Sequence, residues 1–209
     1  MEITTQTLCF NIAHLDESAY ARLYQQASSY RRQKADRYLR REDKLRCIAA
    51  DALLRYALGG GDFTEVREGC GKPYLQNRPD FHYNLSHSGP WVVLAFGAEE
   101  VGIDVEETKM DAGKEKLARR YFTQAEQDYI FHREEGRDIR FFEIWTAKES
   151  YVKYLGTGLQ KSLSSFDVIS MESPHFHTRR LGNCTLTLCT NGSEICITEV
   201  TLPQLLAET

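Results

Sequence analysis

Long hydrophobic runs are missing from this sequence. No apolar stretch approaches the roughly 18 residues that a membrane-spanning helix needs. The first residues, Met-Glu-Ile-Thr-Thr-Gln, also lack the basic start and apolar centre of a secretory leader. We therefore expect a cytoplasmic protein that has no membrane partner.

Closely spaced cysteine pairs are missing as well. No two cysteines are separated by only two residues, as paired zinc or redox ligands commonly are. The six cysteines are Cys9, Cys47, Cys70, Cys184, Cys189 and Cys196. We interpret them as buried free thiols.

A third absence is an overall excess of positive charge. The formal net charge is −4, which argues against a general nucleic-acid binder. The average hides one basic segment, because residues 31–46 contain eight basic and three acidic residues. This segment is either an ordinary solvated helix face or a surface that binds phosphate groups through arginine and lysine.

The composition is that of a folded protein, with 42% hydrophobic and 27% charged residues. A length of 209 residues suits one large domain or two small halves that share a core. Because no Ser/Gly-rich linker separates them, two halves, residues 1–105 and 106–209, are expected to pack together.

Local patterns predict an α+β, sandwich-like fold. In the first half, helices are predicted at 16–28, 31–39 and 43–58, and strands at 3–10 and 101–106. Two further strands, at 81–86 and 91–97, are predicted to form a hairpin around Ser88-Gly89-Pro90. In the second half, Thr123 and Glu126 match a capping box, and a helix at 139–155 is predicted to end at Gly156. The tail, residues 166–200, alternates in hydrophobicity and is predicted to form a small antiparallel sheet.

Two carboxylates stand two residues apart in the predicted strand Val101-Gly102-Ile103-Asp104-Val105-Glu106. On a strand, the side chains of Asp104 and Glu106 project from the same face. Two adjacent carboxylates repel each other unless a cation lies between them, and Mg²⁺ prefers such oxygen ligands. The alternative is an ordinary strand with its polar face toward solvent.

The predicted helix 139–155 carries Trp145, Glu149 and Lys153 at a spacing of four residues, which places them on one face. A carboxylate and an ammonium group are therefore one turn apart. Taken separately, this pattern is typical of a surface Glu–Lys pair beside a core tryptophan.

Two further patterns offer groups that bind anions. In Gly71-Lys72-Pro73, a tight turn brings the backbone and a positive charge together, although a turn with a chance lysine is the commoner explanation of such a pattern. In Ser86-His87-Ser88, hydroxyl and imidazole groups lie at a strand end, where ordinary hairpin chemistry is the alternative.

Taken in order, these motifs resemble the 4'-phosphopantetheinyl transferase superfamily, specifically its longer, surfactin-synthetase-activating type. The resemblance covers most of the chain and depends on Gly71-Lys72-Pro73, Asn84-Leu85-Ser86-His87-Ser88, residues 101–106, and Trp145 to Lys153 followed by Gly156-Thr157-Gly158-Leu159. It implies a pseudo-dimer of two similar halves, with a coenzyme A site at their junction and a monomeric state.

The resemblance also assigns roles to individual residues. Asp104, Glu106 and Glu149 match the family's ligands for Mg²⁺, with Mn²⁺ as a substitute. Lys153 matches the lysine near the bridging oxygen of the coenzyme A diphosphate. Glu149 and Lys153 are therefore the expected catalytic residues, with Glu149 as general base, directly or through a water, as metal ligand, or as both.

The coenzyme A contacts are assigned in the same way. Residues that resemble the family's phosphate contacts are Arg31, Lys34, Arg46, Ser86 and His87, and residues that resemble its adenine-side wall are Lys72 and Pro73. Cys47 is a departure, because the type member of the family has threonine there. A weak thiol donor thereby replaces a good hydroxyl donor at one phosphate contact.

The implied reaction moves 4'-phosphopantetheine from coenzyme A to a serine of an apo acyl or peptidyl carrier protein and releases adenosine 3',5'-bisphosphate. One alternative is a noncatalytic module of the same fold, against which the intact Asp104, Glu106, Glu149 and Lys153 argue. The other is a magnesium-dependent hydrolase of coenzyme A. If Lys153 were only the exposed partner of Glu149, the leaving-group charge would pass to Lys148 or to the metal alone.

Overall fold

The computed structural model describes residues 4–61, 63–67, 71–158 and 161–207 of the chain. Three residues of the patterns above, Ile3, Cys70 and Leu159, lie outside these ranges. In the described part, no helix is both long and apolar enough to cross a bilayer.

The N-terminal half contains a first strand, three helices and a hairpin. Its elements are β1 (Thr4–Asn11), α1 (Glu17–Gln26), α2 (Ser29–Arg37), α3 (Arg41–Ala57), the short strands β2 (Glu65–Val66) and β3 (Tyr74–Leu75), β4 (His82–Ser88) and β5 (Trp91–Gly97). The predicted hairpin therefore forms, with its turn at Gly89 and Pro90.

The C-terminal half repeats this plan. Its elements are β6 (Val101–Glu107), α4 (Ala112–Tyr121), α5 (Gln124–Phe131), α6 (Arg137–Leu155), β7 (His175–Leu181), β8 (Cys184–Thr190), β9 (Glu194–Glu199) and α7 (Leu202–Ala207). The capping box of α5 forms as predicted, and Gly156 ends α6 in the left-handed conformation, with φ of 66°.

The strand pairings show the repeat directly. In the first half, β5 pairs antiparallel with both β4 and β1, and in the second half, β8 pairs antiparallel with both β7 and β6. Each half is thus a strand, a set of helices and a hairpin whose second strand returns to the first. The predicted α+β class is confirmed, and the topology is that of a pseudo-dimer.

The last strand departs from the prediction. The tail was expected to form one small antiparallel sheet, but β9 joins the other sheet and pairs parallel with β1, to give the order β4-β5-β1-β9. The remaining sheet has the order β6-β8-β7. Alternating hydrophobicity identifies a strand, but it does not identify the partner, which lies almost 200 residues away in sequence.

The structure also bears on where the two halves divide. β6 runs through the predicted boundary between residues 105 and 106, and it pairs with β8 continuously from Val101 to Glu107. We propose that the boundary lies in the turn before β6, and that β9 is a C-terminal strand donated back to the first sheet.

The two sheets meet along the edge strands β4 and β6. Alternate side chains of β4 accept hydrogen bonds from alternate backbone N–H groups of β6. The pairs are Asn84 with Ile103 (2.9 Å), Ser86 with Val105 (3.4 Å) and Ser88 with Glu107 (3.1 Å). At this edge, polar side chains of β4 accept the hydrogen bonds that the backbone of a neighbouring strand would otherwise accept. These hydrogen bonds join the two halves.

Helix α6 packs closely on β6 at Gly102. A Cβ atom at this position would overlap the carbonyl oxygen of Ser150 and lie 2.5 Å from the backbone nitrogen of Tyr154. Glycine is therefore required for the approach of the helix. This contact brings Glu149 and Lys153 of α6 to the same face of β6 as Asp104.

Four of the five described cysteines, Cys9, Cys47, Cys184 and Cys189, are buried free thiols as predicted. The prediction is wrong for Cys196, which is exposed because it lies on the outward face of the edge strand β9. Burial raises the pKa of Cys9 to about 12, so this thiol stays protonated.

Candidate active site

A cavity of about 330 Å³ lies where the two halves meet. It is lined by seven residues that the sequence assigned to the site: Arg31, Lys34, Lys72, Pro73, His87, Glu149 and Lys153. The first five come from the N-terminal half and the last two from α6. The cavity therefore combines the predicted phosphate-binding groups with the predicted catalytic pair.

Lys153 is the centre of the polar contacts at this site. Its ammonium group donates to Oδ1 of Asp104 (2.6 Å), Oγ of Ser86 (3.0 Å) and the carbonyl oxygen of Ile103 (3.2 Å). Among the ion pairs of the described residues, its partner is Asp104 rather than Glu149. Lys153 is thus not a simple surface partner of Glu149, because it connects α6 to β6 and β4.

The three predicted metal ligands concentrate negative charge beside Lys153. Asp104 is buried, and its Oδ2 atom has no hydrogen-bond partner in the described structure. Burial and the nearby charge of Asp104 raise the pKa of both Glu106 and Glu149. Within the described ranges, however, no group of three or more His, Cys, Asp or Glu side chains is arranged to hold a metal ion.

The start of α2 places Arg31 and Lys34 in the cavity. Ser28 caps the helix, with its hydroxyl accepting from the backbone N–H of Arg31, so the two cations lie one turn apart on one face. Burial and the charge of Arg31 lower the pKa of Lys34. The thiol of Cys47 donates to the carbonyl oxygen of Arg31 (3.6 Å), so this unusual residue anchors the same helix.

Lys72 joins the Gly71-Lys72-Pro73 segment, which was predicted to lie on the adenine side, to the start of β6. Its ammonium group donates to Glu100 (2.5 Å) and to the carbonyl oxygen of Val101 (2.5 Å), and His82 contacts the other oxygen of Glu100 at 3.0 Å. Lys72 and Pro73 therefore form one wall of the cavity in a defined position.

Two of the predicted phosphate contacts, Ser86 and Arg46, lie beside the cavity rather than in its lining. Ser86 donates to Oδ1 of Asp104 at 2.9 Å. Arg46 donates to Asp43 (2.6 Å) and to the carbonyl oxygen of Gly89 (2.7 Å). His87, next to Ser86, does line the cavity, and burial followed by the charge of Arg46 lowers its pKa, which favours the neutral ring. Contacts of Ser86 and Arg46 with a ligand stay predictions.

Lys148, the alternative leaving-group donor, is buried away from the cavity. It forms an ion pair with Glu126 at 2.8 Å, and both side chains are fully buried. Its ammonium group also donates to the carbonyl oxygens of Leu163 (2.7 Å) and Phe166 (2.8 Å). Lys148 therefore holds the chain that follows α6 and is not placed to meet a ligand.

Two residues of the cavity region were missed from the sequence. Arg67 lines the cavity, and Glu65 forms an ion pair with Arg31 at 2.7 Å. Their only signal in the sequence is the alternation Glu65-Val66-Arg67, which directs both side chains to one face of a short strand. Three residues give too little pattern to identify a site.

Comparison with known proteins gives a consistent result. Residues 100–201 match a family model described as the 4'-phosphopantetheinyl transferase superfamily. The chain is 34% identical over 179 residues to 4'-phosphopantetheinyl transferase ffp of Bacillus subtilis, covering 78% of this chain and 79% of the relative. It is 34% identical over 165 residues to 4'-phosphopantetheinyl transferase Sfp of Bacillus subtilis (strain 168), covering 72% and 73%. It is 38% identical over 144 residues to 4'-phosphopantetheinyl transferase psf-1 of Bacillus pumilus, covering 65% and 60%.

Proposed function

This chain belongs to the 4'-phosphopantetheinyl transferase superfamily, and we propose that the cavity between its halves is the site of phosphopantetheine transfer. The chain is an enzyme that uses coenzyme A as co-substrate and acts on carrier proteins. One observation supports this choice of site: a single cavity brings the cations of α2 and Lys72 together with Glu149 and Lys153 of α6.

The cations of the N-terminal half bind the phosphate groups of coenzyme A in this proposal. Arg31 and Lys34 take the 3'-phosphate, and His87, Ser86 and Arg46 lie toward the diphosphate. Guanidinium groups offer phosphate oxygens several donors in a fixed plane, and a lysine adds a compact charge. Lys72 and Pro73 form the wall against the adenine.

Asp104, Glu106 and Glu149 are the residues that would hold Mg²⁺, or Mn²⁺ in its place. The fit is supported by the chemistry of the donors, which are all carboxylate oxygens, and by the unpaired, buried Oδ2 atom of Asp104. Burial and then the charge of Asp104 raise the pKa of both Glu106 and Glu149, and a nearby cation would offset the repulsion among these carboxylates. When bound, the metal offsets the negative charge of the diphosphate.

The reaction begins with the serine hydroxyl of an apo acyl or peptidyl carrier protein. Its oxygen attacks the β-phosphorus of coenzyme A, which bears pantetheine, and Glu149 accepts the hydroxyl proton. The bond from this phosphorus to the bridging oxygen breaks, and adenosine 3',5'-bisphosphate leaves. Lys153 stabilises the charge that develops on the leaving oxygen. Glu149 lines the cavity from α6, which places its carboxylate where it can accept that proton.

One incubation separates this function from its two alternatives. The protein is mixed with coenzyme A, MgCl₂ and an apo acyl or apo peptidyl carrier protein, and the products are followed by intact-mass measurement and nucleotide chromatography. A transferase adds phosphopantetheine to the carrier and releases adenosine 3',5'-bisphosphate in equal amount. A hydrolase cleaves coenzyme A without a carrier, and a noncatalytic module does neither.

The metal and the oligomeric state are tested in the same preparation. We expect excess chelator to stop transfer and added Mg²⁺ to restore it, and full turnover in chelator would contradict the metal site. We propose a monomer, because one chain supplies both walls of the cavity. Light scattering during size-exclusion chromatography measures the mass in solution.

A further inference from the structure

A carboxylate lies among the cations of the proposed phosphate site. Glu65 faces Arg31 at 2.7 Å, and the side chains of both residues are only 6% exposed. Its other oxygen, Oε1, lies 3.6 Å from Nε of Arg67 and has no hydrogen-bond partner in the described structure. A negative charge should weaken a phosphate site, so its presence requires a reason.

The contact with Glu65 leaves most of the Arg31 guanidinium available. Among the described residues, Glu65 is the one acceptor for this side chain, and it binds Nη2 alone. A guanidinium group has five N–H donors in a fixed plane. Once Glu65 holds Nη2, the plane is oriented, and the donors on Nε and Nη1 remain for a phosphate at the cavity that Arg31 lines.

Glu65 is itself held from the core. The hydroxyl of Tyr83 donates to Oε2 of Glu65 at 3.0 Å, and Tyr83 is almost fully buried in β4. Burial and the charge of Glu65 raise the pKa of Tyr83, so the hydroxyl stays protonated and continues to donate. A buried chain of contacts therefore runs from β4 through Glu65 to Arg31 on α2.

We propose that Glu65 is a positioning residue that sets the preference of this enzyme for coenzyme A over 3'-dephospho-coenzyme A. It does so by holding the Arg31 guanidinium in the orientation that meets the 3'-phosphate. The inference rests on the proposed function, in which Arg31 contacts that phosphate. The negative charge of Glu65 repels the phosphate, yet we expect this residue to increase the preference for coenzyme A.

Isothermal titration of the full-length protein with each of the two nucleotides, without a carrier, tests the proposal. Glu65→Ala removes the contact to Arg31 and should weaken coenzyme A about tenfold, because a hydrogen bond to a charged group is lost. Binding of 3'-dephospho-coenzyme A should change less than about twofold. Glu65→Gln keeps an oxygen acceptor without the charge and should retain most of the preference. If both variants instead tighten coenzyme A, Glu65 acts only by repulsion and the proposal is overturned.

Arg31→Ala, alone and combined with Glu65→Ala, distinguishes this inference from the proposed function. We expect Arg31→Ala to abolish the preference, and Glu65→Ala to add nothing in its absence. If Arg31→Ala leaves the preference intact, the phosphate assignment itself fails. If Arg31→Ala abolishes it and Glu65→Ala does not reduce it, only the positioning role fails.

Two controls guard against a general loss of structure. Tyr83→Phe removes the hydroxyl that holds Glu65 but keeps the ring, and we expect a smaller loss of preference in the same direction. An unchanged preference would contradict the chain of contacts. Thermal unfolding by circular dichroism establishes that each variant is folded at the titration temperature, and the retained affinity for 3'-dephospho-coenzyme A reports an intact cavity.

Discussion

The two halves of this protein face each other at two places, and only one of them carries the candidate site. In the repeated topology, β7 corresponds to β4 and β1 corresponds to β6. The contact of β4 with β6 therefore has an expected counterpart, which is a second junction between β7 and β1. Instead, β9 pairs along the edge of β1. A groove of about 840 Å³ remains between β7 and β9, and it contains none of the predicted site residues.

The chemistry of the two junctions differs as much as their geometry. On β6, the face toward the helix presents Gly102, Asp104 and Glu106, and Lys153 reaches Asp104 from α6. On β1, the corresponding face presents Leu8 and Phe10, which are buried in the core beneath α3. The polar site thus lies beside β6, whose edge toward β4 has no backbone pairing and whose face toward α6 is charged. It does not lie beside β1, whose edge pairs with β9 and whose face toward α3 is apolar.

The largest effect is expected from Lys148, which lies on α6 and forms its contacts outside the cavity. Lys148→Met leaves the carboxylate of Glu126 buried without its partner and should cost about 3–5 kcal/mol of unfolding free energy. Urea denaturation measures this change. The exposed Lys116→Met on α4 serves as the control, and Lys148→Met combined with Glu126→Gln should recover part of the loss. Equal stability of the two single variants would show that the buried pair contributes nothing.

The second largest effect is expected from Lys153, at the junction between β4 and β6. Lys153→Met keeps much of the aliphatic stem, so we expect a folded protein that binds coenzyme A but turns over 10²–10³-fold more slowly, or about 2.7–4 kcal/mol. Single-turnover transfer to an apo carrier protein measures this loss, again with Lys116→Met as control. Turnover within about threefold of the unmodified enzyme, under about 0.7 kcal/mol, would leave Lys153 as a structural contact of Asp104.

Gly102 tests how closely α6 must approach β6. Gly102→Ala places a methyl group on the backbone of Ser150, so we expect a loss of about 3 kcal/mol in stability together with slower transfer. Gly97→Ala in β5 is the matched control, because its Cβ would meet Thr4 only at 3.4 Å. Similar stability and turnover for the two variants would mean that the helix can shift without cost.

A substitution of Asn84 tests the side-chain hydrogen bonds that replace backbone pairing between β4 and β6. Asn84→Ala leaves the buried N–H of Ile103 without an acceptor and should cost about 1–2 kcal/mol of unfolding free energy. Asn183→Ala, at an exposed contact with Glu107, should cost much less. A reversed order in urea denaturation would contradict the role of β4 as the partner of β6.

The smallest effect is expected at the other junction. Arg179 lines the groove between β7 and β9 and is exposed, so Arg179→Ala should change stability by less than about 0.5 kcal/mol and leave transfer unaffected. Assays with apo acyl and apo peptidyl carrier proteins measure the rate. A clear loss of transfer rate with either carrier would assign a function to the groove between β7 and β9. The two junctions would then no longer differ in function.

Much of the candidate site follows from local pattern. The four-residue spacing of Trp145, Glu149 and Lys153 predicts a shared helix face, and Glu149 and Lys153 do line the cavity. Glycine at 156 predicts the end of the helix, which the left-handed backbone there confirms. Such features depend on neighbours within one or two turns, so a single stretch of sequence contains the information that they require.

The contacts that select roles for these residues are not local. Lys153 and Asp104 are 49 residues apart, and Arg31 and Glu65 are 34 residues apart. Nothing in the motif containing Lys148 and Lys153 distinguishes the buried lysine from the one at the cavity. That distinction depends on which side of α6 meets β6 and which side meets Glu126, and packing decides it.

The sequence by itself thus determined the α+β class and the positions of the hairpin and of α6, and its motifs pointed to seven of the residues that line the cavity. The class and the elements depend on hydrophobic period, caps and turn residues, which act over a few positions. Only the tertiary structure decided that β9 covers β1, that Lys153 binds Asp104 and that Glu65 holds Arg31. Each of these is a pairing between distant segments, and its energy exists only once the halves have packed and removed water from the groups that meet.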